Sequence, residues 1–306
     1  MLKIVEKINY MALINNWKKL TNETPKNLVN AMQQLHHASQ CVAAFGNSLI
    51  PKASDDAQSS LNWVPDIRAL ASQEVNLKRR VRLALVYDKF ELRMINENEN
   101  TMGVFPLSGQ TKSTALSFVR TQARAMGLSG EDVQPIDHYQ LPEHDLDKGA
   151  PFLMTSPEDH RELAKYRHNA SLVLREIAKM YEYASEVATW PHHFDTASLI
   201  TVKFDDTSNP EKTVGIGFAP ADNLCDEPYF YVNHWTKKSD ISYDNLPSLP
   251  DGGVWKTNTD WKGAILKASA IAKLKEGTAQ YELTDQFLKG GIEASLEILE
   301  ETAVKA

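Results

Sequence analysis

The sequence predicts an α+β fold, antiparallel sheet meanders packed by helices, with helical segments toward both ends of the chain. Three observations carry this. Strand patterns follow strand patterns in two runs, Val81 to Leu107 and Ser198 to His234, instead of alternating with helices as a doubly wound parallel sheet requires. Phe90-Glu91-Leu92-Arg93-Met94-Ile95 alternates apolar and charged residues, the mark of a sheet with one solvated face. Helical periodicity lies outside those runs.

Taken in order, residues 26–46 form the first helix, with Leu28, Met32, Leu35, Cys41 and Val42 at helical spacing and Thr24-Pro25 as its start. Pro51 to Ser60 is a polar loop. Val81 to Tyr87 is a strand, Asp88-Lys89 a tight link, Phe90 to Ile95 its hairpin partner and Met102 to Leu107 a third strand. Ser113 to Met126 is helical and stops at Gly127. Residues 129–154 carry three prolines and no period. Ser156-Pro157-Glu158-Asp159 opens a helix expected to reach about Val187, because a capping serine, a first-turn proline and two acids coincide.

Ser198 to Phe204, Thr213 to Ala219 and Pro228 to His234 are three further strands. Residues 236–262 are loop-rich, and 264–275 and 279–304 are expected as two closing helices, with Gly290-Gly291 a candidate kink. The chain is read as one α+β unit, 1–306, or as two joined halves, 1–128 and 156–306, linked by the loop 129–155.

Composition narrows the function classes. A charged fraction of 24% and a hydrophobic fraction of 42% are a globular balance and argue against disorder. The net charge of −7 argues against a nucleic-acid partner, and the basic run Lys78-Arg79-Arg80 is short enough to be a solvated strand start. No stretch reaches the roughly 18 apolar residues of a membrane span. Polar residues interrupt Met1 to Lys19, so no export signal is expected. Cys41 and Cys225 form neither a disulfide framework nor a metal knuckle, which fits a reduced, cytoplasmic compartment. There is no GxGxxG, Walker A or GxSxG pattern. Gly215-Ile216-Gly217 lies inside a strand and signals close backbone approach more than a nucleotide loop.

Three blocks are similar to a bacterial family known only as a domain of unknown function. They are Val81 to Gly127 with Val104-Phe105-Pro106-Leu107, Trp190 to Ala197, and Gly217-Phe218-Ala219-Pro220 followed by Asp226-Glu227-Pro228-Tyr229-Phe230-Tyr231. The resemblance runs over about two-thirds of the chain. It departs from the family at Trp190-Pro191-His192 and in the C-terminal helices. It implies a shared fold, no activity, and no catalytic residue that can be carried over.

The densest chemistry lies in Trp190-Pro191-His192-His193-Phe194-Asp195. In an extended segment side chains alternate, so His192 shares a face with Phe194, and His193 with Asp195. On that reading His193 and Asp195 are the candidate catalytic pair, a base oriented by a carboxylate. A metal would need further ligands, for which His234 with Asp222 or Asp226 are the candidates; the bland alternative is a pair of capping histidines. In the second cluster Tyr229, Tyr231 and Asn233 share one face of a strand, with His234 on the other. With Trp190 and His192 these are the candidate ligand-binding residues.

Weaker candidates are Cys225 as a nucleophile, the loop group His138, His144, Asp145 and Asp147, the helix group His160, His168, Arg161, Arg167 and Arg175, and His36-His37. For each, an ordinary structural or solvated role is the simpler account. Two functions remain open: a small-molecule-binding protein or enzyme with a pocket near His193, Asp195, Tyr229 and Tyr231, or a non-enzymatic assembly protein. The second would use the stripe Leu283, Phe287, Ile292, Leu296 and Leu299, leaving a homo-oligomer open. No cofactor or metal is assigned.

Overall fold

A computed structural model describes residues 10–76, 80–128, 130–237, 241–257, 261–301 and 304–305. Lys78, Arg79 and the first nine residues of Met1 to Lys19 lie outside the described residues. The fold is α+β, with antiparallel sheets packed by helices. The chain divides into two compact units, residues 1–29, 165–187 and 195–306, and residues 30–164 and 188–194. The boundary therefore falls inside a helix and not in the loop 129–155. That loop belongs to the second unit because hydrogen bonds tie it there: Gln134 N–H to Ser48 Oγ at 3.1 Å, Tyr139 Oη to Gln40 Oε1 at 2.7 Å and Leu153 N–H to Gln34 Oε1 at 3.0 Å.

The second unit contains helix α1 (Val29–Leu49, from Asn30 on) and strands β1 (Leu61–Val64), β2 (Ala69–Ser72), β3 (Val75–Asn76), β4 (Arg80–Val86), β5 (Glu91–Asn96), β6 (Thr101–Pro106) and β7 (Ala188–Trp190). Their order is β7-β1-β2-β4-β5-β6, with β3 on β4 and every pair antiparallel. Register puts Trp63, Leu70, Leu85 and Leu92 in one row, all buried. The other face carries Val64, Ala69, Ala71, Ala84, Val86 and Ile95.

The hairpin expected across Asp88-Lys89 closes with Phe90 at φ 46°, and its ring is buried edge-on to Phe152 and His160. Periodicity leaves residues 61–72 unassigned, yet they supply two strands of this sheet. Helix α2 (Lys112–Ala125) starts on a reciprocal Thr111–Thr114 capping box and covers β6, stacking Phe118 on Phe105.

Helix α3 (Pro157–Ala178) begins as expected, with Asp159 N–H donating to Ser156 Oγ at 3.1 Å. It ends well before Val187. Residues 179–187 are drawn instead onto a strand edge in the first unit: Ser185 N–H donates to Leu199 O at 2.8 Å and Thr201 N–H to Tyr183 O at 2.9 Å.

The first unit is built on β8 (Asp195–Phe204), β9 (Pro210–Ala219), β10 (Tyr229–Thr236), β11 (Gly253–Lys256) and β12 (Gly263–Lys267), in the order β8-β9-β10-β12-β11. The helix expected over 264–275 is a strand followed by the single turn α4 (Ala268–Ala272). Ala264-Ile265-Leu266 is too short an apolar run for periodicity to distinguish helix from strand, and pairing with β10 decides it. β11 lies inside the stretch read as loop.

Helix α5 (Gly277–Leu299) covers β10. Gly290 and Gly291 do not interrupt it. They are contact points, since a Cβ on Gly290 would meet Pro250 Cδ at 2.9 Å and one on Gly291 would meet Val232 Cγ2 at 2.8 Å. Phe287, Ile292 and Leu299 of the proposed partner stripe are buried in this unit's own core, and Leu283 and Leu296 are half-buried. Tyr166 stacks on Phe218 with ring centroids 5.6 Å apart, and the buried Arg167 donates to Thr196 Oγ1 at 2.5 Å.

Candidate functional site

The Trp190 block divides into two locally distinct pieces. Residues 191–194 are a turn, not extended chain: Phe194 N–H donates to Trp190 O at 2.7 Å and Phe194 sits at φ 57°. Period-two alternation therefore does not apply, and the face-sharing of His193 with Asp195 that it implied loses its basis. A large residue in the left-handed region is uncommon and needs support from its surroundings. Here the support comes from α1. The buried Phe194 ring stacks on His36, 4.9 Å between centroids and 7° from parallel. His36 Nε2 donates to Pro191 O at 2.9 Å, and Gln40 Nε2 donates to the same oxygen at 2.8 Å.

The same turn carries the histidine pair. His192 is half-buried, with His193 at 4.4 Å, Tyr139 at 5.7 Å and Trp190 at 6.4 Å between ring centroids. His193 is exposed.

Asp195 opens β8 in the first unit. Register aligns Ala197, Gly217, Tyr231 and Ile265 across β8, β9, β10 and β12. A Cβ on Gly217 would stand 2.5 Å from Tyr231 Cε1, so the Tyr231 side chain lies down across β9 where the glycine leaves room. Lying flat, it reaches β8 and donates from Oη to Asp195 Oδ2 at 2.6 Å. Burial pushes the Tyr231 phenol well above its ordinary range, and the adjacent Asp195 charge pushes it further, so it remains a donor.

Asn233 lies across Gly215 in the same way, with Cγ 3.4 Å from an added Cβ. The pair Gly215 and Gly217 thus marks the close approach its pattern suggested, and what approaches is the neighbouring strand's own side chains.

Tyr229 donates to Asp222 Oδ2 at 2.7 Å, and Asp222 Oδ1 also accepts from Leu224 N at 2.8 Å and Cys225 N at 3.1 Å. Burial first and the Asp222 charge second raise the Tyr229 phenol. Around this end Ala219, Cys225, Tyr229 and Ile265 form a small apolar cluster against which Leu224, Tyr231 and Trp261 pack. Trp261 stands edge-on to Tyr231, 6.0 Å between centroids and 84° between planes.

Tyr229, Tyr231 and Asn233 thus share a face as their spacing required, and His234 points the other way. His234 is buried, stacks on Tyr243 and shares a 3.1 Å hydrogen bond between Nε2 and Tyr243 Oη, and among the described residues its Nδ1 has no hydrogen-bond partner. Burial holds its pKa down at about 4.

Among the described residues no group of three or more His, Cys, Asp or Glu side chains is arranged to hold a metal ion. Cys225 is buried with its thiol pKa raised, and burial pushes Cys41 up to about 12, so neither is an activated nucleophile. The weaker histidines have structural partners. His138 meets Asp56 at 3.1 Å, His144 Nδ1 accepts from Leu146 N at 3.2 Å, His160 Nδ1 donates to Tyr87 O at 3.1 Å, and His168 Nε2 donates to Asn16 O at 3.0 Å.

Two features escape sequence reading. Trp261 joins the Tyr231 face from an irregular segment with no periodic signal. His37, Lys112 and Asp147 converge from three separate elements, with Lys112 Nζ 2.6 Å from Asp147 Oδ1 and 3.4 Å from His37 Nδ1. No helix among the described residues is long and apolar enough to cross a membrane. No family model, curated protein or solved structure matches the chain.

Proposed function

We propose that this chain is a small-molecule-binding protein whose ligand lies on the β8–β9–β10 face of the first unit, over Asp195, Tyr231 and Asn233. The observation that carries the reading is the 2.6 Å bond from the Tyr231 phenol to Asp195 across Gly217. It fixes one oxygen of a half-buried carboxylate in register with an aromatic ring, leaving the other oxygen to a ligand. The face is open beyond this point: Leu199 is 43%, Trp235 49% and Val254 49% exposed. Register places all three on the Tyr231 side of the sheet. The Asn233 amide supplies both a donor and an acceptor there. The histidines of the 191–194 turn belong to the second unit and are not needed for this reading.

A fragment library screened by protein-observed NMR tests it. Hits should shift backbone amides of Asp195, Gly217 and Tyr231, and Asp195→Ala should abolish those shifts while far-UV circular dichroism stays unchanged. A library whose hits all map elsewhere, or hits on this face that persist in Asp195→Ala, would exclude the site.

A further inference from the structure

We infer that the ligand of this face is an organic ammonium, held by the Asp195 carboxylate and the rings of Tyr231 and Trp261. The inference rests on the small-molecule reading above and adds the ligand's charge.

Asp195 is half-buried, yet among the described residues it joins no ion pair; its side-chain hydrogen bond is the one from Tyr231. Carboxylates withdrawn from water are ordinarily paired with a cation, because a lone phenol donor only partly replaces the lost hydration. A base at this end of the sheet, Lys267 across from Tyr229, is already engaged by Asp226 and Glu227, each at 3.8 Å. Lys26 is likewise held by Asp226. The second acid at this end, Asp222, spends its oxygens on Tyr229 and two backbone amides. The compensating positive charge for Asp195 is therefore not drawn from these side chains.

The surroundings favour one kind of cation. Tyr231 and Trp261 stand at 84° and Tyr231 and Tyr229 at 56°, so inclined π-systems meet at the ring whose hydroxyl holds the carboxylate. Ring faces attract ammonium groups within about 6 Å, and a partly desolvated site strengthens that attraction. A hard divalent ion would want more oxygen ligands than Asp195 offers, and no such group is assembled among the described residues. An anion would meet the Asp195 charge. A primary ammonium on an apolar body satisfies all three constraints: it donates to the second oxygen of Asp195, rests against the rings and lays its apolar part toward Leu199 and Trp235.

Three probes of nearly equal shape separate the possibilities: benzylamine, a cation at pH 7, neutral benzyl alcohol, and anionic benzoate. Titrations of the full chain are followed at the Trp261 indole N–H and the Tyr231 amide. Benzylamine is expected to bind with those shifts, and benzyl alcohol and benzoate at least tenfold more weakly. Asp195→Asn keeps an acceptor for Tyr231 and removes the charge, and should weaken benzylamine at least tenfold. Trp261→Leu, which leaves Asp195 and Tyr231 intact, is the second variant and should weaken it several-fold. Equal or tighter binding of the alcohol or the benzoate at the same resonances overturns the charge assignment and leaves the binding face standing. So does benzylamine binding that Asp195→Asn does not change. Failure of all three probes, together with failure of the fragment screen, removes the face itself.

Discussion

Tyr231 lies flat across Gly217, so close that a Cβ on the glycine would stand 2.5 Å from the tyrosine Cε1. This close approach is what lets the Tyr231 hydroxyl reach Asp195 on β8. A glycine inside a strand ordinarily weakens it, by roughly 0.5–1 kcal/mol relative to alanine. Overpacking costs more, about 1–3 kcal/mol. Gly217→Ala is therefore expected to be net destabilising by about 1–2 kcal/mol despite the better strand residue. Urea unfolding measures this, and an unchanged or raised midpoint would show that the ring moves aside without cost.

Tyr231→Phe keeps the ring over Gly217 and deletes the donor to Asp195. A hydrogen bond to a charged group contributes about 1.5–3 kcal/mol, and here the acceptor is half-buried. The variant is expected to lose about 1–2 kcal/mol, since water recovers part of the bond. The double mutant Tyr231→Phe/Asp195→Asn should lose less than the sum of the singles, the signature of a direct pair in a double-mutant cycle.

His36 carries the turn through both its ring and its Nε2. His36→Phe retains the stack on Phe194 and leaves Pro191 O to Gln40, so it should cost no more than about 1 kcal/mol. His36→Ala removes both, leaves a cavity beside a buried aromatic, and should cost about 2–4 kcal/mol. Limited proteolysis between residues 190 and 195 gives the local readout, and cleavage should rise in the alanine variant alone.

Two buried histidines make stability fall with acid. His234 is held at about 4 by burial. His37 is held at about 4 by burial first and Lys112 second, against the opposing pull of Asp147. An unfolded histidine titrates near 6.5. Between those values the unfolded chain binds more protons, so the contribution is complete above pH 6.5 and is lost as pH falls toward 4. From pH 7 to pH 5 each group should remove on the order of 2 kcal/mol. His234→Gln should shrink the pH 7-to-5 difference in unfolding free energy by about that amount, whatever it does to stability at pH 7. An unaltered slope would mean that His234 is not buried neutral.

Both cysteines are buried thiols with raised pKa values. Native protein should react with a thiol reagent at pH 8 far more slowly than protein in 6 M guanidinium, which should titrate two equivalents. Rapid labelling of Cys225 in the native state would contradict the packing around Ala219 and Tyr229.

The local rules were legible in the sequence where period and punctuation agreed. The start of α3 at Ser156-Pro157, the stop of α2 at Gly127, the hairpin at Asp88-Lys89 and the shared face of Tyr229, Tyr231 and Asn233 all follow from short-range sterics and capping. Where a short apolar run could serve either state, at Ala264-Ile265-Leu266, local preference was silent and a partner strand decided. Residues 179–187 continue a helical composition, but hydrogen bonds to Leu199 and Thr201 outweighed it.

By itself the sequence determined the α+β class, the strands of the meanders over 81–107 and 198–234 and which side chains of β10 share a face, because these depend on residues a few positions apart. Only tertiary structure decided that Trp190 to Phe194 turns against His36, that Tyr231 meets Asp195 across an intervening strand, and that Trp261 joins them. Those relationships depend on register and on what a distant helix or strand presents, and no local period encodes them.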